Sequence, residues 1–427
     1  MAEFRIECFE NEFLPKGASV INAVLSVTVA GTGGEPSGDP EGRAGISERS
    51  EVIVVDTSGS MQGEKLRQAK VATAAAIDCL PDGVAFGIVS GSELAELVYP
   101  SSPPLAVSSS TTRDEAKEAV KQLEAEGGTA MGAWINLATR LLREQTGIKH
   151  AILLTDGRNE HEEPEVLDKF LVQADGVFQC DCRGVGADWE VADLRKIATA
   201  LLGAYDIVAE PSELSADFAS MMHEALSKQI ADMTLRVWTP QGAAVSLLKQ
   251  MEPILLDLTG ARVDTGPLTG EYATGSWGDE SRDYHLGVLL TPRNIGDEVL
   301  AARVTLLVGG EAVGQAQVRA VWTDDEARST RINRRVAEVM GETELADVIQ
   351  EGIDAHRAGD LETATNRFGR AVQLASESGN EEAVARLSKV VDIEDAATGR
   401  VRPKDKVEEL DVMIVETRST RTTRTGR

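Results

Sequence analysis

Oxygen-bearing side chains are grouped on a short segment that follows an apolar run. The segment reads Asp56-Thr-Ser-Gly-Ser60, and residues 52–55 before it are Val-Ile-Val-Val. Gly59 permits a tight turn that can bring the oxygens of Asp56, Ser58 and Ser60 toward one point. Carboxylate and hydroxyl oxygens suit a hard cation such as Mg²⁺, whereas zinc and copper favour thiolate and imidazole ligands. The segment therefore predicts a site for a divalent cation.

Two later segments carry further oxygen ligands. Thr129 ends the loop Glu126-Gly-Gly-Thr129 before a predicted helix, and Asp156 follows the buried run at residues 151–155. Continuous apolar runs of this kind are typical of strands in a parallel sheet, because both faces of such a sheet are covered. Ligands bind at the carboxyl ends of these strands. We therefore expect the three segments to meet at one edge of the sheet.

Taken together, these motifs resemble the metal-ion-dependent adhesion site of von Willebrand factor type A (VWA) domains of the bacterial intracellular type. The resemblance implies that Ser58 and Ser60 ligate the cation directly and that Thr129 does so in one conformational state. Asp56 and Asp156 would act largely through water. It also implies a Mg²⁺ cofactor, with Mn²⁺ or Ca²⁺ as alternatives, and an open position for an Asp or Glu carboxylate of a protein partner. An ion that serves only to stabilise the fold is the alternative interpretation.

The elements that must position these residues alternate between strand and helix over residues 48–229, the predicted VWA domain. This alternation predicts an α/β fold with a doubly wound, mostly parallel sheet. Short alternating segments in 1–47 and 230–323 predict an antiparallel β-sandwich into which the VWA domain is inserted. Residues 324–398 predict a helical hairpin that packs on the sandwich. The hairpin resembles one tetratricopeptide unit, for which a peptide-binding groove is the functional alternative.

The C-terminal segment, residues 399–427, is predicted to be a flexible Thr/Arg-rich tail with a short strand at 410–415. Its residues 417–427 contain four arginines and no acid. Phosphorylation would reverse this charge and create a ligand for a phosphothreonine reader such as a forkhead-associated domain. Some VWA proteins of the tellurite-resistance type work alongside Ser/Thr kinases and phosphatases, so a regulatory or scaffold role is the alternative function. A solvated terminus without this role is the simpler interpretation. The candidate phosphorylation sites are Thr417, Thr420, Thr422, Thr423 and Thr425.

Acidic residues also follow the second carboxylate, in Glu160-His161-Glu162-Glu163. Acids near the start of a helix are favoured by the helix dipole, so we interpret this segment as a solvated helix start. A role in the choice of partner is the alternative. The five histidines of the chain are scattered and show no metal-ligand spacing.

Composition and missing motifs argue against several functional classes. The formal net charge of −27 leaves no basic footprint for duplex nucleic acid over most of the chain. No apolar run approaches the roughly 18–20 residues that span a bilayer, and the first residues do not read as a signal peptide. We therefore expect a cytoplasmic protein without membrane insertion, which disfavours a secreted adhesin. No nucleophile elbow or phosphate-binding loop is found, so we expect an interaction protein and not an enzyme.

Overall fold

The structure, a computed structural model, describes residues 2–32, 48–404 and 406–420. The described residues divide into two compact units. The first unit comprises Met1–Thr32, Asp232–Thr274 and Asp279–Arg427, and the second comprises Gly33–Ala231 and Gly275–Gly278. The second unit is thus inserted into the sequence of the first, as predicted.

Three strands precede the insertion. They are β1 (Glu3–Glu10), β2 (Phe13–Pro15) and β3 (Val20–Ala30). β1 and β3 are antiparallel along the length of β1, with Glu3 opposite Ala30 and Glu10 opposite Ala23. The alternation of apolar residues predicted both of these strands, whereas the short β2 was not predicted.

The inserted unit alternates strands and helices. Its elements among the described residues are β4 (Arg49–Asp56), α1 (Glu64–Asp78), β5 (Ala85–Gly91), β6 (Ala95–Tyr99), β7 (Ala106–Val107), α2 (Ser110–Lys121), α3 (Met131–Arg143), β8 (Ile148–Thr155), α4 (Pro164–Ala174), β9 (Gln179–Val185), α5 (Val191–Ala200), β10 (Tyr205–Val208) and α6 (Leu214–Ser227). The strands β10-β9-β8-β4-β5 are parallel neighbours in that order, and β6 and β7 pair antiparallel with β5. This arrangement confirms the doubly wound, mostly parallel sheet.

The buried face of α1 explains how the inserted unit holds the loop that carries Asp56, Ser58 and Ser60. α1 buries Leu66, Ala69 and Ala72, which recur every three or four residues and so share one face of the helix. They belong to one core with Ile53 and Val55 of β4. The loop between β4 and α1 is therefore anchored at both ends by buried apolar contacts.

After the insertion the chain completes the sandwich. The strands are β11 (Met233–Trp238), β12 (Ala244–Glu252), β13 (Leu256–Asp257), β14 (Val263–Gly266), β15 (Thr269–Ala273), β16 (Glu280–Leu289), β17 (Glu298–Val308) and β18 (Glu311–Thr323). Within the described ranges they join the N-terminal strands in two sheets, β1-β3-β16-β12-β13 and β14-β15-β11-β17-β18-β2. The pairing of β3 with β16 confirms that the two sequence segments build one sandwich. β2 adds a parallel pair with β18, because the chain leaves β1 for the edge of the other sheet without forming a hairpin.

Helices dominate the rest of this unit. The elements are α7 (Glu326–Ser329), α8 (Arg334–Arg357), α9 (Leu361–Glu377), α10 (Glu381–Leu387), β19 (Val391–Asp395), β20 (Arg400–Pro403) and α11 (Glu409–Ser419). α8 and α9 form the predicted hairpin, with Gly359 at a φ of 78° in the turn. Val336 and Val339 of α8 pack against Val24 and Met251 of the sandwich. The predicted packing of the hairpin on the sandwich is therefore observed.

The described residues after 399 correct the prediction of a flexible tail. Residues 410–415, predicted as a strand, lie in the helix α11. α11 buries Val412 and Val415, one helical turn apart, in a core shared with α8, α9 and α10. A short apolar run is compatible with strand or helix, and here the neighbouring helices decide. Residues 421–427 lie outside the described residues.

Candidate metal centre

The first metal-site loop holds its carboxylate by hydrogen bonds to both oxygens. Asp56 is the last residue of β4 and is fully buried. The backbone N–H of Ser58 donates to Asp56 Oδ1 at 2.7 Å, and the Thr155 hydroxyl donates to Asp56 Oδ2. Burial raises the pKa of Asp56 to about 6, although the hydrogen bonds from Ser58 and Thr155 oppose this rise. Hydrogen bonds from the protein itself therefore hold the carboxylate in a fixed orientation.

The two serines connect this loop to the second carboxylate. The hydroxyl oxygens of Ser58 and Ser60 are 2.9 Å apart. Ser60 donates from its hydroxyl to Asp156 Oδ1 at 2.7 Å. Asp156 directly follows β8, the neighbour of β4, and is fully buried, whereas Ser60 is exposed. Hydroxyls and carboxylates from adjacent strand ends thus share one site.

Backbone hydrogen bonds join the threonine loop to the first loop. The N–H of Gly59 donates to the carbonyl of Gly127 at 2.9 Å, and the N–H of Glu126 donates to the carbonyl of Thr57 at 2.8 Å. Gly127 has a φ of 80°, a conformation that favours glycine. These bonds bring the buried Thr129 to the same edge of the sheet.

Gly157 marks the point where the three segments converge. A methyl group added to Gly157 would lie 2.8 Å from Thr129 Oγ1, 3.4 Å from Ser60 Oγ and 3.6 Å from Asp56 Oδ2. The lack of a side chain at this position leaves a small space beside oxygens of the first two segments, and Gly157 itself belongs to the third. The structure therefore brings together all the side chains that the sequence predicted for the metal site. We refer to these side chains as the oxygen cluster: Asp56, Ser58, Ser60, Thr129 and Asp156.

The oxygen cluster fits a hard divalent cation. It combines two carboxylates with three hydroxyls and contains no sulfur or nitrogen ligand. Mg²⁺ takes six oxygen ligands at about 2.0–2.1 Å and commonly keeps several waters. Within residues 2–32, 48–404 and 406–420, no group of three or more His, Cys, Asp or Glu side chains has metal-holding geometry. Coordination at the oxygen cluster would thus depend on its hydroxyls.

Lys65, which the sequence analysis did not single out, also contacts the oxygen cluster. Its Nζ donates to Asp156 Oδ2 at 2.5 Å and to Asp188 Oδ2 at 2.9 Å. Burial alone would lower the pKa of Lys65, but its bonds to the two carboxylates outweigh that effect and raise it. The available signal was a lysine in the first turn of a helix, where the helix dipole disfavours a cation.

The loop after Asp156 holds the threonine loop through the start of α3. Asn159 Oδ1 and Glu162 Oε1 accept hydrogen bonds of 2.8 and 2.6 Å from the backbone amides of the first two residues of α3. His161 Nδ1 accepts from the amide of Thr129 at 3.1 Å. The sequence predicted only a solvated helix start for His161 and Glu162. In the structure both side chains accept hydrogen bonds from backbone amides. They cap α3 and position Thr129.

The structure describes two of the candidate phosphorylation sites, Thr417 and Thr420, which differ in burial. Thr417 is fully buried in α11, and its hydroxyl donates to the carbonyl of Met413 at 2.8 Å. It is therefore closed to a kinase in this structure. Thr420 is half-buried and donates to the carbonyl of Thr417 at 2.9 Å. The other three candidates lie outside the described residues: Thr422, Thr423 and Thr425.

Comparisons with known proteins agree with the fold described above. A model of the von Willebrand factor type A domain matches residues 51–207, and one of the VWA C-terminal domain matches residues 373–419. A solved structure described as von Willebrand factor type A from Catenulispora acidiphila is 46% identical, with a TM-score of 0.92. The match covers 99% of this chain and 97% of that chain. The chain belongs to the von Willebrand factor type A family. VWA domains commonly mediate protein–protein interaction and have a metal-binding site, and most VWA proteins are non-enzymatic interaction modules.

More distant relatives of this VWA protein share the fold or parts of the sequence. The ArnB paralog VWA2 from Sulfolobus acidocaldarius has a TM-score of 0.59 at 16% identity, over 98% of both chains, and shows the shared fold alone. The uncharacterized protein sll0103 of Synechocystis is 26% identical over 278 residues. The inter-alpha-trypsin inhibitor heavy chain H4 of Sus scrofa is 30% identical over 197 residues. The matches cover 62% and 44% of this chain, and 60% and 20% of those two proteins.

A helix that crosses a bilayer needs about 20 predominantly apolar residues. None of the helices formed by residues 2–32, 48–404 and 406–420 combines the length and apolar character needed to cross a membrane.

Proposed function

We propose that this VWA protein binds one divalent cation, preferably Mg²⁺, in the oxygen cluster. Ser58 and Ser60 would bind the ion directly, as would Thr129 in one conformational state, and Asp56 and Asp156 would act largely through water. The convergence of oxygens around Gly157 is the observation that carries this proposal. Few and compact direct ligands favour Mg²⁺ over Ca²⁺, which takes 6–8 oxygens. Mn²⁺ and Ca²⁺ are the alternative ions.

We further propose that the bound ion docks an Asp or Glu carboxylate of a protein partner. Because the direct ligands would be neutral hydroxyls and the two carboxylates would act through water, an anionic ligand in an open coordination position is favoured. Exposure of Ser60 supports access to the ion from solvent. The role is that of an interaction module, and no catalytic step is assigned to the oxygen cluster.

Cation-dependent capture tests this function. Purified protein is immobilised and incubated with extract of the native cell in Mg²⁺ or in EDTA, and the retained proteins are compared. The variants are Asp56→Ala and the control Asp78→Ala, which removes an exposed carboxylate from α1 that pairs with Lys117. We expect a partner that is retained with Mg²⁺ by the wild type and by Asp78→Ala, and is lost with EDTA or Asp56→Ala. Identical proteins under all conditions would contradict docking through the ion.

A second candidate function is regulation through the C-terminal segment. The acid-free run of four arginines among threonines at residues 417–427 supports it. Because Thr417 is buried, we confine this proposal to Thr420, Thr422, Thr423 and Thr425, phosphorylated by a Ser/Thr kinase and bound by a phosphothreonine reader. Mass spectrometry of protein from its native cell tests it, and a fully unmodified segment would contradict it.

A further inference from the structure

Lys65 occupies a position that is unfavourable for a cation in an isolated helix. It is the second residue of α1, and the amino-terminal end of a helix carries a partial positive charge. Side chains of a helix tilt toward its amino terminus, so Lys65 extends beyond the end of α1. Its ammonium group thereby reaches Asp156, a member of the oxygen cluster.

The two oxygens of Asp156 have different partners. Oδ1 accepts a hydrogen bond from the hydroxyl of Ser60 within the oxygen cluster, and Oδ2 accepts one from the ammonium of Lys65. Asp156 is fully buried and Lys65 is 26% exposed, so water screens this pair weakly. Asp188, the other partner of Lys65, is 73% exposed, and its charge is therefore largely screened. Lys65 is thus separated from the cation position by one carboxylate group.

The charge of the site follows from these contacts. The two carboxylates of the oxygen cluster, Asp56 and Asp156, would by themselves balance a divalent ion. With the ammonium of Lys65 present, the same site carries one surplus positive charge when the ion is bound. Like charges at short range repel strongly in a poorly screened site, and a carboxylate ligand from outside relieves that repulsion.

We propose that Lys65 couples ion binding to carboxylate binding: it weakens the binding of the divalent cation alone and strengthens the binding of an acidic ligand to the loaded site. This inference rests on the function proposed above and adds to it. Lys65 makes the site favour the state in which ion and carboxylate are both bound. The acidic side chain of the partner then helps to hold the ion, and the ion helps to hold the partner.

A purely structural role for Lys65 leads to the opposite result. If its contacts only hold Asp156 in the geometry that the ion needs, removing the ammonium should weaken the binding of the ion. If Lys65 sets the charge, removing it should tighten the binding of the ion and reduce the benefit of an added carboxylate. The direction of the change therefore separates the two roles.

Binding of Mn²⁺ to the full chain, measured by electron paramagnetic resonance of the free ion, tests the inference. The dissociation constant is determined at one pH with and without acetate as a carboxylate probe. The charge variants are Lys65→Met and Lys65→Arg, which remove and keep the positive charge. Lys70→Met is the matched control, because Lys70 also lies on α1 and donates to the carbonyl of Lys121. Asp188→Asn and Asp56→Ala complete the set.

We expect Lys65→Met to bind Mn²⁺ about tenfold more tightly than the wild type and to gain little from acetate. Lys65→Arg and Lys70→Met should match the wild type, and Asp188→Asn should change Mn²⁺ binding little, because its exposed charge is already largely screened. Weaker or unchanged binding by Lys65→Met, or an undiminished acetate effect, would overturn the inference. Absence of Mn²⁺ binding by the wild type, or equal binding by Asp56→Ala, would instead overturn the proposed function on which it rests.

Discussion

His150 illustrates how neighbours decide the charge of a single buried residue. Its Nδ1 lies 2.9 Å from Glu51 Oε2, and its Nε2 lies 3.2 Å from Asp181 Oδ2. Burial by itself would lower the pKa of His150, but attraction to Glu51 and hydrogen bonding with Asp181 outweigh it and raise the pKa to about 10. The imidazolium therefore joins three adjacent strands of the VWA sheet as a charged donor.

Replacing this histidine should change stability in a pH-dependent way. The folded pKa of about 10 lies above the ordinary value of 6.5, so the stabilising contribution is complete below pH 6.5 and is lost as the pH rises toward 10. We expect His150→Gln to lower the melting temperature of the VWA unit most at pH 6 and least near pH 10. Calorimetry measures this difference, with His223→Gln at an exposed position as the control. An equal loss at both pH values would show that His150 does not act through its charge.

At the scale of residues, the sequence predicted the members of the oxygen cluster better than the residues that contact them. The members of the oxygen cluster were predicted because their types and their places after apolar runs are local features. Lys65 and His150 were not, because their roles depend on contacts with residues that are distant in sequence. Glu51 is opposite His150 only through the register of β4 and β8, and that register is set by the whole sheet.

At the scale of elements, the start of α3 depends on a loop that is distant in sequence. Asn159 and Glu162 satisfy the first backbone amides of α3, and His161 holds the amide of Thr129. Free amides at a helix start need such acceptors. The helix boundary could be predicted from local apolar periodicity, but the source of its cap could not, because the capping residues lie beyond β8.

Removing one of these caps should affect both stability and ion binding. Glu162→Ala deletes the acceptor for an amide of α3, which should cost about 1 kcal/mol of folding free energy. We also expect weaker binding of Mg²⁺, since Thr129 lies only two residues before the first residue of this helix. Titration calorimetry and thermal unfolding measure the two effects. The control is Glu163→Ala, an exposed acid at the start of α4. Equal behaviour of the two variants would contradict the capping role.

At the scale of the whole molecule, the order of segments along the chain was the most predictable feature. Alternating patterns before and after the α/β region suggested one interrupted sandwich, and the pairing of β3 with β16 confirms it. The end of the chain was less predictable. The polar composition after residue 399 suggested flexibility. Composition alone does not show that a few apolar residues of α11 pack against helices that come earlier in the chain.

One of these apolar residues provides a test of the corrected C-terminal region. Val412 is buried in the core shared with α8, α9 and α10. We expect Val412→Ala to reduce the folding free energy of the helical region by about 2 kcal/mol through lost burial and the cavity left behind. Asp411→Ala, its neighbour on a less buried face, should have a smaller effect. Chemical denaturation followed by circular dichroism measures both, and a Val412→Ala variant as stable as the wild type would favour the flexible tail.

Binding of Mg²⁺ by the wild type and by Gly157→Ala tests the central claim most directly. A methyl group at this position would enter the space among the oxygens of Thr129, Ser60 and Asp56 without requiring a left-handed backbone. The control Gly260→Ala adds a methyl group where no atom lies within 4 Å. Titration calorimetry should show one Mg²⁺ per chain for the wild type and the control. We expect at least roughly tenfold weaker binding for Gly157→Ala, with a melting temperature that keeps the variant folded at the temperature of the titration. Equal binding by all three proteins, or none by the wild type, would contradict a metal centre at the oxygen cluster.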